Sequence, residues 1–334
     1  MRAALLLTAF TACRAHGADR ASDAGAPSTP TSAGAASLAA RPSSSSAVVV
    51  PPSTPAPPLS ARRAAALADD LRAHLASAQT ALHPPPRIRT VAGTIVVAAA
   101  DPGIPLDSAV IVADETQAAL FAGPFQHRPD RVITLFLFSS RDAYEHAVHG
   151  LAPGAPQDGY GLYDPLTREA FVCTQGASID STAHELTHGL LLDDFPHAPH
   201  WLQEGVASLF ELPDFSQPGQ IHGKAHFRLQ TLRDALKRRA TAPLVRLDAL
   251  FEMTPEEFDA GRDPLAYLHY ASAREAMRWL DSKNELWPFY GAFRDGVLAD
   301  PTGEKAFDRV VGKSPSDATA DWLHWITSVA SESP

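Results

Sequence analysis

In the stretch HELTH (184–188) two histidines stand four residues apart, with a glutamate directly after the first. On a helix, residues four apart differ by about 40° in azimuth and about 6 Å in rise, so His184 and His188 project side by side. Two imidazoles placed this way can converge on one metal ion at about 2.0–2.1 Å. Glu185, on the neighbouring flank, can reach a water on that metal without ligating the ion itself. The same residues also admit a plainer reading. Thr182-Ala183-His184-Glu185 fits the capping-box pattern S/T-x-x-E, in which Glu185 merely closes a helix start. With 14 histidines in the chain, the spacing alone does not choose between them.

The residues beyond the motif favour a site. A catalytic zinc needs a third protein ligand and an open position. The first helix should end near Asp193–Asp194, because Pro196 and Pro199 interrupt it, and the chain can then turn back. HWLQEGVASLFEL (200–212) places Leu202, Val206, Leu209 and Phe210 at helical spacing, which puts Glu204 on a second helix returning toward the first. Gly189 and Gly205 each cost a helix about 1 kcal/mol relative to alanine. Small residues at both points imply close helix–helix contact. Asp194 competes for the third position, as in the metzincin arrangement, where HExxH continues with a glycine and then a ligand. Leu191 stands at that glycine's place and cannot make the sharp turn glycine permits. His197 and His200 read as loop residues within reach of a substrate.

The elements that must position these residues fall into an order. ARRAAALADDLRAHLASAQTAL (61–82) spaces Ala and Leu at helical intervals and runs into Pro84–Pro86, a lead-in helix over 61–86. TVAGTIVVAAA (90–100) and RVITLFLFSS (131–140) are β-branched and apolar, and GYGLYDPLTREAFVCT (159–174) reads as strand, turn at Asp164–Pro165, and returning strand. Beyond 176 the signals are helical. Thr254-Pro255-Glu256-Glu257 combines a cap, a proline at the first helical position and a glutamate at the third, and Ser314-Pro315 repeats the cap and proline. Strands succeeded by helices give an α+β fold: a small mixed sheet over 87–175, then a helical part over 176–330 carrying the zinc-site helices.

Taken together, HELTH and WLQEGVASLFE resemble the gluzincin zinc metallopeptidases, in particular the peptidase MA-like group, often found among exported bacterial proteins. The resemblance runs over about 155–212, more loosely to about 282, and is absent before 87. It implies a zincin-like fold in which the helix bearing HExxH is succeeded by a helix bearing a glutamate ligand. It also implies a bound Zn2+ and a peptide or protein substrate. Carried over residue by residue, His184, His188 and Glu204 are ligands and Glu185 is the general base. The segment YASAREAMRWL (270–280) resembles the later helix that brings a tyrosine toward the site, so Tyr270 is the candidate for stabilising the oxyanion, with Tyr267 in reserve. The stretch GLYDPLTREAFVCT occupies the place of the edge strand that holds an extended peptide, with 169–174 as the holding strand. Relatives with an ExxxD pattern place an aspartate four residues after the third ligand to orient a histidine. Ser208 stands there here, and Glu211, two turns beyond Glu204, reads as a solvated helix end.

The rest of the chain bounds location and partners. The 334 residues carry a formal charge of −10, which argues against nucleic acid as the main partner. The basic stretch LKRRA (236–240) reads as one solvated helix face. MRAALLLTAFTA (1–12) precedes Cys13 with one arginine, an apolar run and small residues. It resembles a bacterial lipoprotein signal, with Cys13 as the lipidated residue and the protein held to a membrane by that anchor. Residues 13–60 are Ala-, Ser- and Pro-rich and cannot bury enough apolar surface to offset the entropy of ordering, so they read as a tether. Of the two cysteines, Cys173 is then left alone and no internal disulfide is expected. Two other functions remain open: a zincin-like module that binds a peptide or cell-wall partner without cleaving it, and a surface lipoprotein without metal.

Overall fold

The computed structural model describes residues 11–13, 61–152, 160–175, 179, 181–238, 241–242, 245–259 and 264–329. Residues 1–10 and the expected tether from 14 to 60 lie outside them. The first part of the chain runs β1 (Thr11–Cys13), α1 (Ala61–Ala81), β2 (Arg87–Val91), β3 (Ile95–Ala99), α2 (Leu106–Leu120), β4 (Ile133–Phe138), α3 (Arg141–Leu151), β5 (Gly161–Asp164) and β6 (Glu169–Cys173). Strands β5-β6-β4-β3-β2 form a mixed five-stranded sheet, and the three residues of β1 add to β5 at its edge. Strands β3, β4 and β6 are parallel, while β2 and β5 run against them.

Composition explains the order. The continuous apolar runs IVVAA of β3 and ITLFLF of β4 are buried at every position, which suits strands covered on both faces. Val96, Phe136 and Phe138 face Tyr144 of α3 and the leucines Leu67, Leu71 and Leu75 of α1. Ile95, Val97, Leu135 and Leu137 face the opposite way, into the large core shared with α2 and the helical part. Within 90–100 the sequence suggests one strand; the structure folds it into the β2–β3 hairpin instead. Ala92 and Gly93 take φ of 48° and 72°, and Thr94 N–H donates to the Val91 carbonyl at 3.1 Å. Gly93 makes this left-handed turn inexpensive. A second correction concerns the edge. Residues 169–173 are not an edge strand: β6 is paired on both sides, and β5 is its outer neighbour.

The helical part consists of α4 (Ser181–Asp194), α5 (His200–Leu209), the short pair β7 (Pro213–Asp214) and β8 (His222–Gly223), α6 (Phe227–Leu236), α7 (Leu247–Phe251), α8 (Pro255–Phe258), α9 (Pro264–Ser282), α10 (Leu286–Gly296), α11 (Glu304–Val311) and α12 (Pro315–Ser328). The fold is therefore α+β. The β7–β8 pair is the one departure, among the described residues, from an all-helical second part. Both expected starts are present. Thr254 forms a complete capping box with Glu257, and the Ser314 side chain accepts from Asp317 N–H.

Three contacts set the positions of α4 and α5. A Cβ on Gly189 would stand 2.6 Å from Ile133 Cδ1 and 3.2 Å from Tyr163 Cε2. This glycine therefore presses α4 onto the sheet, not onto another helix as its sequence context suggests. A Cβ on Gly205 would stand 2.9 Å from the Ala273 carbonyl, so here the expected helix–helix approach exists, between α5 and α9. The last residue of α4, Asp194, is fully committed. Its Oδ1 accepts from Gln126 and His127 N–H, both at 2.7 Å, and its Oδ2 accepts from Tyr290 Oη at 3.0 Å and Arg294 Nη1 at 2.8 Å. The chain leaves α4 at this anchor, turns through 195–199 and returns along α5.

Candidate metal centre

One turn of α4 brings His184 Nε2 to 3.0 Å from His188 Nε2. From α5, Glu204 Oε2 lies 3.9 Å from His184 Nε2 and Glu204 Oε1 lies 3.7 Å from His188 Nε2. Donors around a tetrahedral zinc with ordinary bond lengths stand about 3.4 Å apart, so the observed separations bracket that value. All three side chains are 1% exposed or less. Neither Glu204 oxygen has a hydrogen-bond partner among the described residues, and neither has His188 Nδ1. A buried carboxylate without partners, facing two imidazole nitrogens that face each other, is costly unless a cation is shared among them. The donor set therefore fits a divalent metal of the zinc type.

Glu185 is a second carboxylate close by. Its Oε1 is 3.9 Å from His184 Nε2, and its donor atom lies within 4.8 Å of both imidazole donors. Distance alone does not rank it against Glu204. Placement does. Glu204 directs one oxygen to each imidazole from a separate helix, whereas Glu185 lies between the imidazoles and the sheet edge. A Cβ on Gly161 of β5 would be 1.9 Å from Glu185 Oε1, so only glycine lets the strand pass there. The capping alternative finds no support. Thr182 lies inside α4, and its hydroxyl has no hydrogen-bond partner among the described residues.

A second layer surrounds these groups, and sequence reasoning missed most of it. Glu211 is buried, not a solvated end. Its Oε1 is 3.7 Å from His184 Nδ1, and it is clamped by Arg228 and His226. Its spacing of seven from Glu204, two helical turns, was the available signal. Ser208 is buried with no hydrogen-bond partner for its hydroxyl among the described residues. His200 is not in a loop: it opens α5 one turn ahead of Glu204, and its Nε2 is 3.0 Å from Asp259 Oδ2. The i, i+4 argument used for His184 and His188 would have found it. Tyr270 donates its hydroxyl to the other Asp259 oxygen at 3.1 Å, and the Arg228 guanidinium lies 5.5 Å from the centre of its ring. The tyrosine expected at the oxyanion is thus bound to the Asp259–His200 pair, and Tyr267 stands half-buried one turn earlier on α9. Asp194, the rival ligand, commits both oxygens to backbone and side-chain donors away from the histidines.

Burial dominates the protonation of the centre. It lowers His184 to about 4 against the opposing pull of Glu211, and lowers His188 well below its ordinary value with help from His184 and His200. It raises Glu185 well above the usual range, reinforced by Glu211, and raises Glu204 likewise despite the attraction of His200. Glu211 is the exception: burial would raise it, but Arg228 and then His226 hold it well below the carboxylate range. Neutral imidazoles are the ligand form. The two raised carboxyls must give up their protons for a cation to bind or for a base to act.

Neither a protein-family model nor a curated protein matches the sequence. The chemistry of the centre therefore rests on its own geometry.

These shifts fix how the metal-free protein responds to pH. A histidine lowered by folding withdraws stability as pH falls from about 6.5 toward about 4. Glu185 and Glu204, raised by folding, withdraw it as pH climbs above their unfolded value near 4.5. Above pH 6.5 the carboxyl effect continues, joined by His200, which, against the opposing effect of burial, the Asp259 bond and the charge of Glu204 raise above its ordinary value. Thermal unfolding of the metal-free protein should therefore shift to lower temperature as pH rises above 6.5, and saturating zinc should weaken that dependence by removing the carboxyl share. A pH-independent Tm without zinc would contradict this assignment of the buried carboxyls.

Proposed function

We propose that the protein is a zinc-dependent metallopeptidase that hydrolyses peptide bonds in a peptide or protein substrate. The observation that carries the reading is the approach of Glu204 from α5, one oxygen toward each of two imidazole nitrogens that themselves stand 3.0 Å apart. His184, His188 and Glu204 would hold the ion. When bound, zinc supplies Lewis acidity to a water and to the scissile carbonyl.

The remaining work falls to the chain's own groups. Glu185, wedged beneath Gly161, takes the proton of the attacking water and passes it to the leaving amine. Its raised pKa suits this exchange, because a carboxyl that holds its proton more firmly is a stronger base once ionised. Strand β5, the outer neighbour of β6, would hold an extended peptide against Glu185 through main-chain hydrogen bonds only with the peptide in the place of β1. Its outer face carries β1, with Cys13 opposite Gly161. Tyr270 reaches the reaction only by leaving Asp259, so its oxyanion role rests on that bond opening.

A second reading, a module that holds a peptide or wall partner without cleaving it, draws on the burial of Glu185, which is 1% exposed beneath the strand. One substitution separates the two. Glu185→Gln should retain about one zinc per chain while hydrolysis of a casein or peptide-library substrate falls by about 10²–10⁴-fold or more. Unchanged hydrolysis would remove Glu185 as the base. A wild type that binds zinc and peptide but cleaves nothing would favour the second reading.

Location is part of the proposal: export, with lipidation of Cys13 holding the domain at a membrane. No helix among the described residues is long and apolar enough to cross one. Its support is the apolar start before Cys13 and the Ala/Ser/Pro-rich stretch after it. In a bacterial host the protein should incorporate labelled fatty acid and the Cys13→Ser variant should not. Equal labelling of both would contradict the anchor.

A further inference from the structure

Resting on the metal-binding reading above, we propose that Glu211 is the positioning carboxylate of His184, and that Arg228 and His226 exist at this site to hold it there. The geometry uses both carboxylate oxygens. Oε1 accepts from Arg228 Nη2 at 2.6 Å and faces His184 Nδ1 at 3.7 Å. Oε2 accepts from Arg228 Nε at 3.2 Å and faces His226 Nε2 at 3.2 Å. The two-pronged Arg228 contact fixes the carboxylate plane as well as its place, which a lysine could not do.

His184 is thereby held from the side opposite its metal-facing Nε2. The Ala207 backbone takes a hydrogen bond from its ring, which sets the tautomer, and Glu211 adds a fixed negative charge beside Nδ1. A carboxylate in that position raises the donor strength of the opposite nitrogen and resists rotation of the ring. Position 208, four residues after Glu204, carries a serine whose hydroxyl has no hydrogen-bond partner among the described residues. The negative group is delivered from seven residues on, just past the end of α5, and needs a buried arginine from α6 to be stable there. The charge survives burial because Arg228 is itself buried against it, at 2% exposure.

A purely structural ion pair would show the same contacts, so the test separates the two roles. Glu211→Gln leaves Arg228 buried without its counter-charge, and the variant loses stability under either account. The double variant Glu211→Gln/Arg228→Met removes both charges and restores most of that loss. Zinc affinity is measured on the full chain by competition with a chelator, and the cobalt(II)-loaded protein gives a visible ligand-field spectrum. We expect the double variant to bind zinc about ten- to a hundredfold more weakly than wild type and to show a shifted cobalt spectrum. His226→Gln, which keeps the Arg228 clamp, should lose less affinity than the double variant. Wild-type zinc affinity and an unchanged cobalt spectrum in the double variant would reduce Glu211 to a structural partner. If the double variant does not fold, Arg228→Lys decides with the same two readouts, since lysine keeps the charge but not the two-pronged hold: weaker zinc binding with a shifted cobalt spectrum supports the clamp, and wild-type values overturn it. A wild type that takes up neither ion would overturn the metal reading itself, a result distinct from any difference among variants.

Discussion

The organisation of the helical part depends on one electrostatic constraint. Two imidazoles and three carboxylates, Glu185, Glu204 and Glu211, are packed together in the interior, each 8% exposed or less. Each ionised carboxylate there costs several kcal/mol to desolvate after relaxation. Glu211 meets the cost with Arg228. Glu204 has no such partner among the described residues, and its approach to His184 and His188 makes sense as a place kept for a cation. The carboxylate nearest the proposed ion, Glu204, is thus left without a hydrogen-bond partner among the described residues, whereas Glu211 behind it is paired with Arg228.

The scaffold serves that arrangement from two sides. The sheet supplies a flat wall: Gly189 lets α4 lie directly on Ile133 and Tyr163, and Gly161 lets β5 pass over Glu185. The helices supply the other wall, since Gly205 allows α5 to close on the α9 backbone. Between them the anchor at Asp194 ends α4 and sets the direction of the return. A carboxylate with four donors at a helix terminus is a strong fixed point, and from it the short connection 195–199 leads back along α5 to Glu204. Stacking of Trp201 on Phe251, with ring centres 4.3 Å apart, fixes the rotation of α5 that turns Glu204 inward.

Much of this arrangement is legible in the amino-acid order alone. Continuous apolar strands, capped helix starts and the proline break after Asp194 are local signals, and they are enough for the α+β order, the end of α4 and the two caps; α5 stops at Leu209, short of the 212 that the helical spacing suggests. The leucine at 191 separates Asp194 from the ligand role for a steric reason that the observed hydrogen bonds of Asp194 agree with. The features that local patterns do not carry depend on tertiary contact. Whether Glu211 is solvated or buried depends on Arg228, seventeen residues on, and no local pattern announces that pairing. The place of β5 between β1 and β6 depends on which strand neighbours which. Tyr270 has the right spacing on α9, but its hydroxyl is taken by Asp259 from a different helix end. His200 sits one helical turn from Glu204, so periodicity applied to polar residues would have recovered it.

The central claim is that His184, His188 and Glu204 share one divalent ion. X-ray absorption at the zinc edge on the purified chain tests it most directly, because it reads the donor atoms without relying on any substrate. The account predicts about one zinc per chain with two imidazole nitrogens and carboxylate oxygen near 2.0–2.1 Å. A chain that retains no stoichiometric metal, or an ion surrounded only by oxygen donors without imidazole, would contradict it.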